Sequence, residues 1–500
     1  MLDTRIAAID VGSNSMRIAV IDTDGRAFLE VVQEARAVPR LIRDVREHGG
    51  LSPVTLIRVI DVLREFVAIA RAAGAADVAV VATSAVRDAA NAAEVVAAVR
   101  TTLGLDLRIV PGEEEARLAF LGALHSLPVT EGVLVDLGGG SAELVSFRDR
   151  APDGLATLQL GAVRLTDEFV FADPPPSSQL RALRKHITRE IAHVGLGRLK
   201  GAARLVGTGG AIRNLAKIAR VRYGYPLPHL HGYALTRARL DEIADDLTAM
   251  PRAERLAVAG LNEDRADTIV AGALVIQALL EHLRADEVIV SGQGLREGVA
   301  LAHLDGALVP VPELRAAAVD RALARFAPDT AGAAARRGVI VTRAATALRL
   351  PDDDITPLLP VAAALLDLGR GVDYYNRHRH AESIILARGL DGFTHREQAL
   401  LGALVRGANS ERYDPLAYAP LLADNDRAPL ARASALLYLA DQLEQRLPPS
   451  PFQFRLNVDA ATAEVALDAD LPPGWDPSSL RKRFVRAFGH NLAITSATEV

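Results

Sequence analysis

Apolar and polar positions follow two different patterns in the first half of the chain. Short runs of branched apolar residues, such as "RIAAIDV", "MRIAVID" and "DVAVVAT", are typical of buried strands. Between them, "TLIRVIDVLREFVAIARAAG" has the periodicity of an amphipathic helix that ends near Gly74. Strands that alternate with helices in this way predict an α/β fold.

One segment of this pattern occurs twice. "AAIDVGSNSMRIAVID" aligns with "GVLVDLGGGSAELVSF" so that Asp10 falls on Asp136, an offset of 136 − 10 = 126 residues. The glycine and serine that follow keep the same offset, and both copies read as strand, Asp-x-Gly-x-x-Ser turn and strand. Such a repeat predicts duplication of a whole domain, which we assign to residues 1–120 and 121–305.

The second half of the chain has a different character. Pro310 and Pro312 lie in a stretch that is typical of a linker. Residues 313–447 are rich in alanine and leucine and predict a mostly α-helical module. Residues 448–500 combine an alternating, hairpin-like run with a basic helix, and predict a small α+β segment.

Composition limits the classes of function. The net charge of −5 on 500 residues argues against a general nucleic-acid binder. The chain contains no cysteine, which excludes disulfides, thiolate metal sites and cysteine nucleophiles. The run "TIVAGALVIQALL" is too short to span a bilayer, and "MLDTRIAAID" has no signal-peptide pattern. We therefore expect a soluble cytoplasmic protein without a membrane span.

Both copies of the repeat carry residues suited to phosphate and metal. A strand that ends in Asp-x-Gly and small residues presents backbone N–H groups to an anion, because no side chain blocks the approach. Asp136 can hold a hydrated divalent cation while residues 138–141 bind a phosphate. Asp10 and the polar groups of residues 13–15 can do the same from the facing domain. Mg²⁺ is the natural cation, since it keeps its waters and bridges carboxylate to phosphate.

A single glycine turn is also a common tight connection, so this interpretation depends on the pair and on two further turns. "RLVGTGGAIRNLAKI" and "EVIVSGQGLREGVAL" both read as strand, glycine loop and helix. The predicted phosphate-binding residues of the turns are Ser13, Asn14, Ser15, Gly138, Gly139, Gly140, Ser141, Gly209 and Gly210. Arg87 and Arg265 can reach phosphate or can lie on the surface.

The segment "VPGEEEARLAF" places three glutamates at the start of a predicted helix. Acidic residues in a first turn favour the helix dipole, and Glu113 can pair with Arg117, so a solvated helix start explains the triplet without chemistry. Glu115, however, shares a helical stripe with Ala119 and Gly122, and small residues let such a stripe lie close to another element. Glu115 can therefore be held against the cleft between the two predicted domains.

Seven motifs occur together in one order. They are "AIDVGSNSMRI", "ATSAVRDAAN", "VPGEEEARLAFLG", "VDLGGGSAEL", "LQLGAVRLTD", "GTGGAIRNLA" and "VSGQGLREG". With them the sequence resembles the exopolyphosphatase/guanosine pentaphosphate phosphohydrolase family over about residues 5–305. That family has a duplicated ribonuclease-H-like fold, shared with actin, sugar kinases and Hsp70 chaperones. The resemblance implies hydrolysis of the terminal phosphate of a long phosphate chain with a divalent cation, Mg²⁺ or Mn²⁺.

The resemblance also implies roles for single residues. Glu115, immediately before the "AR" pair, matches the family's catalytic glutamate. Asp136 matches the aspartate of the metal site, Asp10 is its counterpart in the first copy, and Glu143 matches an acidic residue on the following strand. The basic positions that face phosphate in relatives fall on Arg17, Arg87 and Arg265.

The helical second half resembles the extra module of the family's longer members, down to "GVDYYNRHRHAESIIL". That module is HD-like, and HD domains bind metal with a His-Asp dipeptide. Here Leu366 stands before Asp367 in place of the histidine, and His378 and His380 do not complete a two-metal site. We therefore expect a non-catalytic module. Its arginines can guide a polyanion or form a solvated surface, among them Arg377, Arg379, Arg481, Arg483 and Arg486.

Three functions stay open at this point. The leading hypothesis is an exopolyphosphatase, and the nearest alternative is a guanosine pentaphosphate phosphohydrolase, because both substrates end in a phosphoanhydride. A third is a non-hydrolytic sensor of guanosine penta- or tetraphosphate or of polyphosphate. The resemblance to long-chain relatives also implies a homodimer.

Overall fold

The computed structural model describes residues 4–351, 353–410, 414–448 and 452–495. Small parts of three predicted regions lie outside the described residues. They are residues 1–3 of the first domain, residues 352 and 411–413 of the helical module, and residues 449–451 and 496–500 of the C-terminal segment. The chain divides into two compact units. One comprises the chain up to Tyr225 together with Leu230–Leu314, and the other comprises Pro226–His229 together with the chain from Arg315 onward.

The first unit begins with a five-stranded sheet in the order β3-β2-β1-β4-β5. Strands β1, β2 and β3 form an antiparallel meander, and β4 and β5 continue from β1 in parallel. The strands are β1 (Thr4–Val11), β2 (Met16–Thr23), β3 (Leu29–Ala37), β4 (Asp77–Ala82) and β5 (Leu107–Ile109).

Four helices belong to this sheet, and their apolar side chains join its core. They are α1 (Leu41–His48), α2 (Pro53–Ala72), α3 (Ser84–Arg87) and α4 (Ala92–Leu103). The side chain of Ser52 accepts a hydrogen bond from the backbone of Thr55 at the start of α2, where Pro53 fits the first helical turn. Gly74 follows the end of α2 with a φ of 74°, so the predicted end of this helix is confirmed.

The second sheet repeats the first. Its order is β10-β11-β9-β6-β7-β8: an antiparallel meander of β6, β7 and β8 is followed by β9 and β11 in parallel, with β10 as an added edge strand. The predicted duplication is therefore confirmed at the level of topology. The strands are β6 (Gly132–Leu137), β7 (Ala142–Arg148), β8 (Ala151–Leu158), β9 (Arg204–Gly209), β10 (Tyr233–Thr236) and β11 (Glu287–Val290).

Eight further helices complete this unit around the second sheet and between the two sheets. They are α5 (Gly112–Leu124), α6 (Ala162–Phe169), α7 (Ser177–His193), α8 (Gly210–Arg222), α9 (Arg237–Ala249), α10 (Arg252–Arg255), α11 (Ile269–Leu283) and α12 (Leu295–His303). The apolar run "TIVAGALVIQALL" lies in α11, except for its first residue, Thr268, which precedes the helix. Helix α11 is buried in the core of this half. Among the described residues, no helix has the length and apolar character needed to cross a membrane.

Helices α5 and α12 each pack against the sheet of the other half. Helix α5 packs on the second sheet, and α12, which follows the last strand of that sheet, packs on the first. A Cβ at Gly122 of α5 would collide with the carbonyl of Gly294, and a Cβ at Gly298 of α12 would collide with that of Leu118. The two helices thus touch through their backbones, as the small-residue stripe predicted. The predicted boundary between the two domains, at residues 120 and 121, falls inside α5.

The second unit is helical, followed by a three-stranded sheet. One apolar core unites its helices with the sheet. The helices are α13 (Val311–Phe326, whose last part belongs to this unit), α14 (Ala331–Ala347), α15 (Leu359–Leu365), α16 (Arg377–Arg388), α17 (His395–Asn409), α18 (Arg427–Glu444) and α19 (Ser478–Phe488). The strands are β12 (Phe454–Val458), β13 (Thr462–Leu467) and β14 (Asn491–Thr495), in that order. The fold is therefore a duplicated ribonuclease-H-like pair of halves with a helical module and a small α+β segment.

Candidate active site

A polar pocket lies where the turns of the two halves meet. The β1–β2 turn and the β6–β7 turn face each other across it, and the turns after β9 and β11 and the start of α5 complete its wall. Its lining includes most of the predicted site residues: Asp10, Ser13, Asn14, Ser15, Arg17, Glu115, Asp136, Gly138, Gly139, Ser141, Glu143, Gly209, Gly210 and Arg265. The remaining two predicted residues, Gly140 and Arg87, contact lining residues from behind.

The facing turns interlock through small residues. Ser13 Oγ lies 2.5 Å from Ser84 Oγ, within hydrogen-bond distance. A Cβ at Gly140 would approach Ser84 Oγ to 2.6 Å, and a Cβ at Gly139 would approach Asn14 Cβ to 3.1 Å. A larger side chain at either glycine would push the turns apart, so these glycines permit the close approach that forms the pocket.

The register of the two hairpins brings charges of both signs into the pocket. We call the carboxylates of Asp10, Asp136 and Glu143 the acidic pole, and the guanidinium groups of Arg17 and Arg213 the arginine pole. Asp10 pairs with Arg17 across β1 and β2, and Asp136 pairs with Glu143 at the same place in β6 and β7. Position 17 and position 143 differ by 143 − 17 = 126 residues, the repeat offset, so an arginine in one copy stands where a glutamate stands in the other. The second copy is thereby acidic on both strands and the first carries a cation.

Buried carboxylates crowd the acidic pole. Burial raises the pKa of Asp10 to about 6 and also raises the pKa of Asp136. The pKa of Glu143 lies well above its ordinary value because the side chain is buried and Glu115 and Asp136 are near. Asp10 Oδ1 and Glu143 Oε1 are buried without a hydrogen-bond partner. These orphaned acceptors suit a cation or its bound waters.

Direct ligation of a cation by three carboxylates does not fit. Within residues 4–351, 353–410, 414–448 and 452–495, no three His, Cys, Asp or Glu side chains are close enough to share one ion. Asp10, Asp136 and Glu143 therefore fit a magnesium ion that keeps much of its water and takes only one or two protein oxygens, which is the usual mode for Mg²⁺ beside phosphates.

The arginine pole lies close to the carboxylates, since Arg17 is the cross-strand partner of Asp10. Burial and the neighbouring guanidinium groups of Arg213, Arg296 and Arg265 hold the pKa of Arg17 well below its ordinary value. Arg17 donates to Ser15 Oγ at 3.3 Å and Arg213 donates to the Gly292 carbonyl at 2.8 Å, and neither has a carboxylate at ion-pair distance in the described part of the chain. Asn14 Nδ2 is a buried donor without an acceptor. Unneutralised cations and an orphaned donor in one pocket are suited to an anion.

Glu115 lines the same pocket from the first turn of α5, near Asp10, Asp136 and Glu143. Burial raises its pKa to about 7, and the charge of Arg87 opposes that rise. Arg87 Nη1 donates to Glu115 Oε2 at 2.8 Å and to the Val110 carbonyl at 2.8 Å. The other two glutamates point elsewhere: Glu114 pairs with Arg108 outside the pocket. The prediction of an ion pair between Glu113 and Arg117 is wrong, since no such pair occurs among the described residues.

Several lining residues were not found from the sequence: Thr83, Ser84, Thr208, Arg213, Gly294, Arg296 and Glu297. The sequence could have indicated Arg213, because this residue lies three positions after Gly210 and therefore on the same face of α8. Arg296 and Glu297 follow the last glycine turn directly. Arg296 donates to the Ile18 carbonyl at 3.2 Å, and Glu297 accepts from the Gly294 N–H at 2.8 Å, which caps α12.

In the helical unit, arginines surround Asp367, the aspartate that follows Leu366. Arg337 donates to Asp367 Oδ2 at 2.8 Å, and Arg377 contacts Asp367 at 3.1 Å and Asp441 at 2.7 Å. Burial lowers the pKa of His378 to about 3. No cluster of metal-ligating side chains occurs here among the described residues. Guanidinium charge therefore neutralises these buried carboxylates.

Two of the arginines proposed to guide a polyanion are buried. Arg377 is occupied by Asp367 and Asp441, and Arg483 donates to the carbonyls of Gly407 and Ala408 at 2.6 and 2.7 Å. For these two the prediction of a guiding role is wrong, because both guanidinium groups are buried and hydrogen-bonded inside the unit. Arg379, Arg481 and Arg486 are exposed.

Comparison with known proteins identifies a family. The model of the Ppx/GppA phosphatase family matches residues 19–306, and the model of domain III of the Ppx/GppA phosphatases matches residues 330–475. The chain is 32% identical over 305 residues to exopolyphosphatase 1 of Mycobacterium tuberculosis, covering 60% of this chain and 88% of that one. It is 32% identical over 314 residues to exopolyphosphatase 2 of the same organism, covering 60% of this chain and 98% of the relative.

Solved structures agree with the fold. The crystal structure of the Aquifex aeolicus member of the Ppx/GppA family aligns with a TM-score of 0.54 at 32% identity, over 60% of this chain and 98% of that one. The structure of an exopolyphosphatase from Cytophaga hutchinsonii aligns with a TM-score of 0.56 at 24% identity, over 61% and 99%.

Proposed function

The chain belongs to the Ppx/GppA phosphatase family, and we propose that it is an exopolyphosphatase that releases the terminal orthophosphate of inorganic polyphosphate. The observation that carries this proposal is one pocket that holds both buried carboxylates and arginines without a carboxylate at ion-pair distance. A phosphoanhydride end carries several negative charges and binds a divalent cation, so it complements both poles at once.

The terminal phosphate binds at the arginine pole. Arg17 and Arg213 provide charged donors, Asn14 Nδ2 provides a free amide donor, and the backbone N–H groups at the start of α8 lie beside Gly209 and Gly210. Bidentate guanidinium groups and helix N-termini both favour phosphate oxygens. Arg265, packed against Gly210, adds charge at the same place.

Asp10, Asp136 and Glu143 would hold a hydrated Mg²⁺ or Mn²⁺ at the acidic pole. When bound, this cation neutralises phosphate charge and polarises the phosphoryl oxygens. Burial is the main cause of the raised pKa values of these three carboxylates, and a bound cation would favour their charged forms.

Glu115 is the general base. With a pKa of about 7, a large fraction of the Glu115 carboxylate is deprotonated near neutral pH, and it is a stronger base than an ordinary glutamate. The water oxygen bonds to the terminal phosphorus as the anhydride P–O bond breaks, the water proton goes to Glu115, and the shortened chain leaves with the bonding electrons. Arg87 fixes the orientation of the Glu115 carboxylate through its 2.8 Å hydrogen bond.

A phosphate-release panel tests this proposal. Purified protein is assayed with Mg²⁺ or Mn²⁺ against polyphosphates of several lengths and against guanosine pentaphosphate, and specificity constants are compared. We expect the highest kcat/KM for polyphosphate. A strong preference for the nucleotide would make the chain a guanosine pentaphosphate phosphohydrolase, and tight binding without release under any divalent cation would make it a sensor. Light scattering in the same preparation tests the expected homodimer.

A further inference from the structure

Helix α8 has one face that is not packed against the protein. From Gly210 to Arg220, the residues that keep some solvent exposure are Gly210, Arg213, Lys217 and Arg220, and all others are buried. Their spacing of three and four residues puts them on one side of the helix. This face, which we call the α8 stripe, is therefore made of one glycine and three cations.

The stripe starts in the pocket and leads out of it. Gly210 and Arg213 line the pocket, whereas Lys217 and Arg220 lie beyond it. Seven residues separate Arg213 from Arg220, which is about 10 Å along the axis at about 1.5 Å per residue. Several phosphates of an extended chain span that distance, and a single terminal phosphate does not.

The two outer cations of the stripe have no carboxylate partner among the described residues. In the described part of the chain, neither Lys217 nor Arg220 has a side-chain hydrogen bond or an ion pair. Burial and the nearby cations Arg213 and Arg220 lower the pKa of Lys217, with further contributions from Arg36 and Arg17. No carboxylate is among the main charges that act on Lys217.

One basic residue of the same helix does have a carboxylate partner. Arg222 belongs to the same helix but lies off the stripe, and it has its carboxylate partner. A row of close, unpaired cations is electrostatically unfavourable, so it is best explained by an anion that binds along it.

We infer that the α8 stripe is an extension of the phosphate site that binds the inner phosphates of a polyphosphate chain whose end lies in the pocket. This inference rests on the proposed function and deepens it, because it makes chain length a determinant of specificity. The 5′-triphosphate of guanosine pentaphosphate ends at a ribose that carries the other two phosphates on its 3′ oxygen, so the nucleotide cannot lay a continuous run of phosphates along the stripe. Long polyphosphate can.

Two matched variants test the stripe. Lys217→Gln removes one charge from the stripe, and Arg222→Gln removes one charge from the same helix off the stripe. The double variant Lys217→Gln/Arg220→Gln removes both outer cations. For each we measure kcat/KM on tripolyphosphate and on chains of several tens of phosphates, with thermal melts to verify folding, and the affinity for long chains by equilibrium titration.

We expect kcat/KM on long chains to fall about threefold for Lys217→Gln and about tenfold for the double variant, with a much smaller fall on tripolyphosphate and none for Arg222→Gln. Equal falls at both lengths, or no fall at all, would overturn the stripe while leaving the proposed function standing. If the wild-type protein bound long chains without releasing phosphate and the double variant bound them about tenfold more weakly, the stripe would stand and the proposed function would fail. Absence of binding would overturn both.

Discussion

Arg87 and Glu115 are joined by a hydrogen bond of 2.8 Å between Nη1 and Oε2, and the same nitrogen donates to the Val110 carbonyl at 2.8 Å. Arg87 ends α3, Val110 follows β5, and Glu115 starts α5. One guanidinium group therefore links three elements of the first half at the edge of the pocket. Because Arg87 lies behind the lining, it can hold the Glu115 carboxylate in place without occupying the space of the substrate.

The pair determines how activity responds to pH. Burial raises the pKa of Glu115 to about 7, and Arg87 limits that rise because it stabilises the charged form. A general base must be deprotonated, so we expect kcat/KM to fall as pH drops through about 7. Arg87→Gln removes the stabilising charge and should move this limb of the pH profile to higher pH.

The control for that profile is Arg108→Gln, which removes a guanidinium group from the neighbouring Glu114 outside the pocket. The Arg108→Gln profile should coincide with that of the wild type. A limb that stays in place in Arg87→Gln would show that Arg87 does not act on the base.

The acidic pole makes the cation-free protein less stable at neutral pH. The pKa of Asp10 is about 6 when folded against an ordinary 3.8, because the side chain is buried. The folded state keeps a proton that the unfolded chain loses between about pH 4 and pH 6, so the free energy of unfolding falls by up to about 3 kcal/mol as pH rises through that window.

Asp10→Asn should remove this loss. In chelator at pH 8, we expect the variant to melt at a higher temperature than the wild type, and the advantage should vanish near pH 4. Added Mg²⁺ should raise the melting temperature of the wild type by mass action, and raise that of the variant less. A variant that melts lower than the wild type in chelator at pH 8 would contradict the cost of burying the Asp10 charge.

The arginine-filled site of the helical unit should be structural. Arg337 is 1% exposed and contacts Asp367, Asp441 and Glu444. Arg337→Met leaves buried carboxylates without a counter-charge, which costs about 3–5 kcal/mol. Chemical denaturation of the full chain measures the loss. Arg336→Met breaks a single, more exposed pair with Glu444 and should cost about 1 kcal/mol or less; equal losses in both variants would refute the network.

Leu366→His tests whether the histidine alone would restore a metal site there. We expect no metal-dependent rise in melting temperature, because Arg337 and Arg377 already occupy the Asp367 carboxylate. A rise of several degrees with Mn²⁺ would mean that the arginines yield to a cation.

The repeat made the first unit predictable from sequence. Asp10 and Asp136 keep their offset because both end equivalent strands, and equivalent strands lie at equivalent places in the two sheets. The facing turns and most of the pocket lining follow from that symmetry.

Other features depend on which helix faces meet in the folded chain. The packing of α5 and α12 against the opposite sheets depends on contact between Gly122 and Gly298, which are far apart in sequence. Arg377 and Arg483 look like surface cations until their carboxylate and carbonyl partners are known. Arginine is also so common in this chain that its presence alone did not mark Arg213.

The most direct test of the account is phosphate release from long-chain polyphosphate by Glu115→Gln, compared with Glu114→Gln. Both replace one glutamate of the same helix turn, but Glu115 lines the pocket and Glu114 pairs with Arg108 outside it. We expect Glu115→Gln to lose about 10²–10⁴-fold in kcat, the range of a general base, with binding of polyphosphate retained and Glu114→Gln near wild type. Full activity in Glu115→Gln would contradict the assignment of the base and the mechanism built on it.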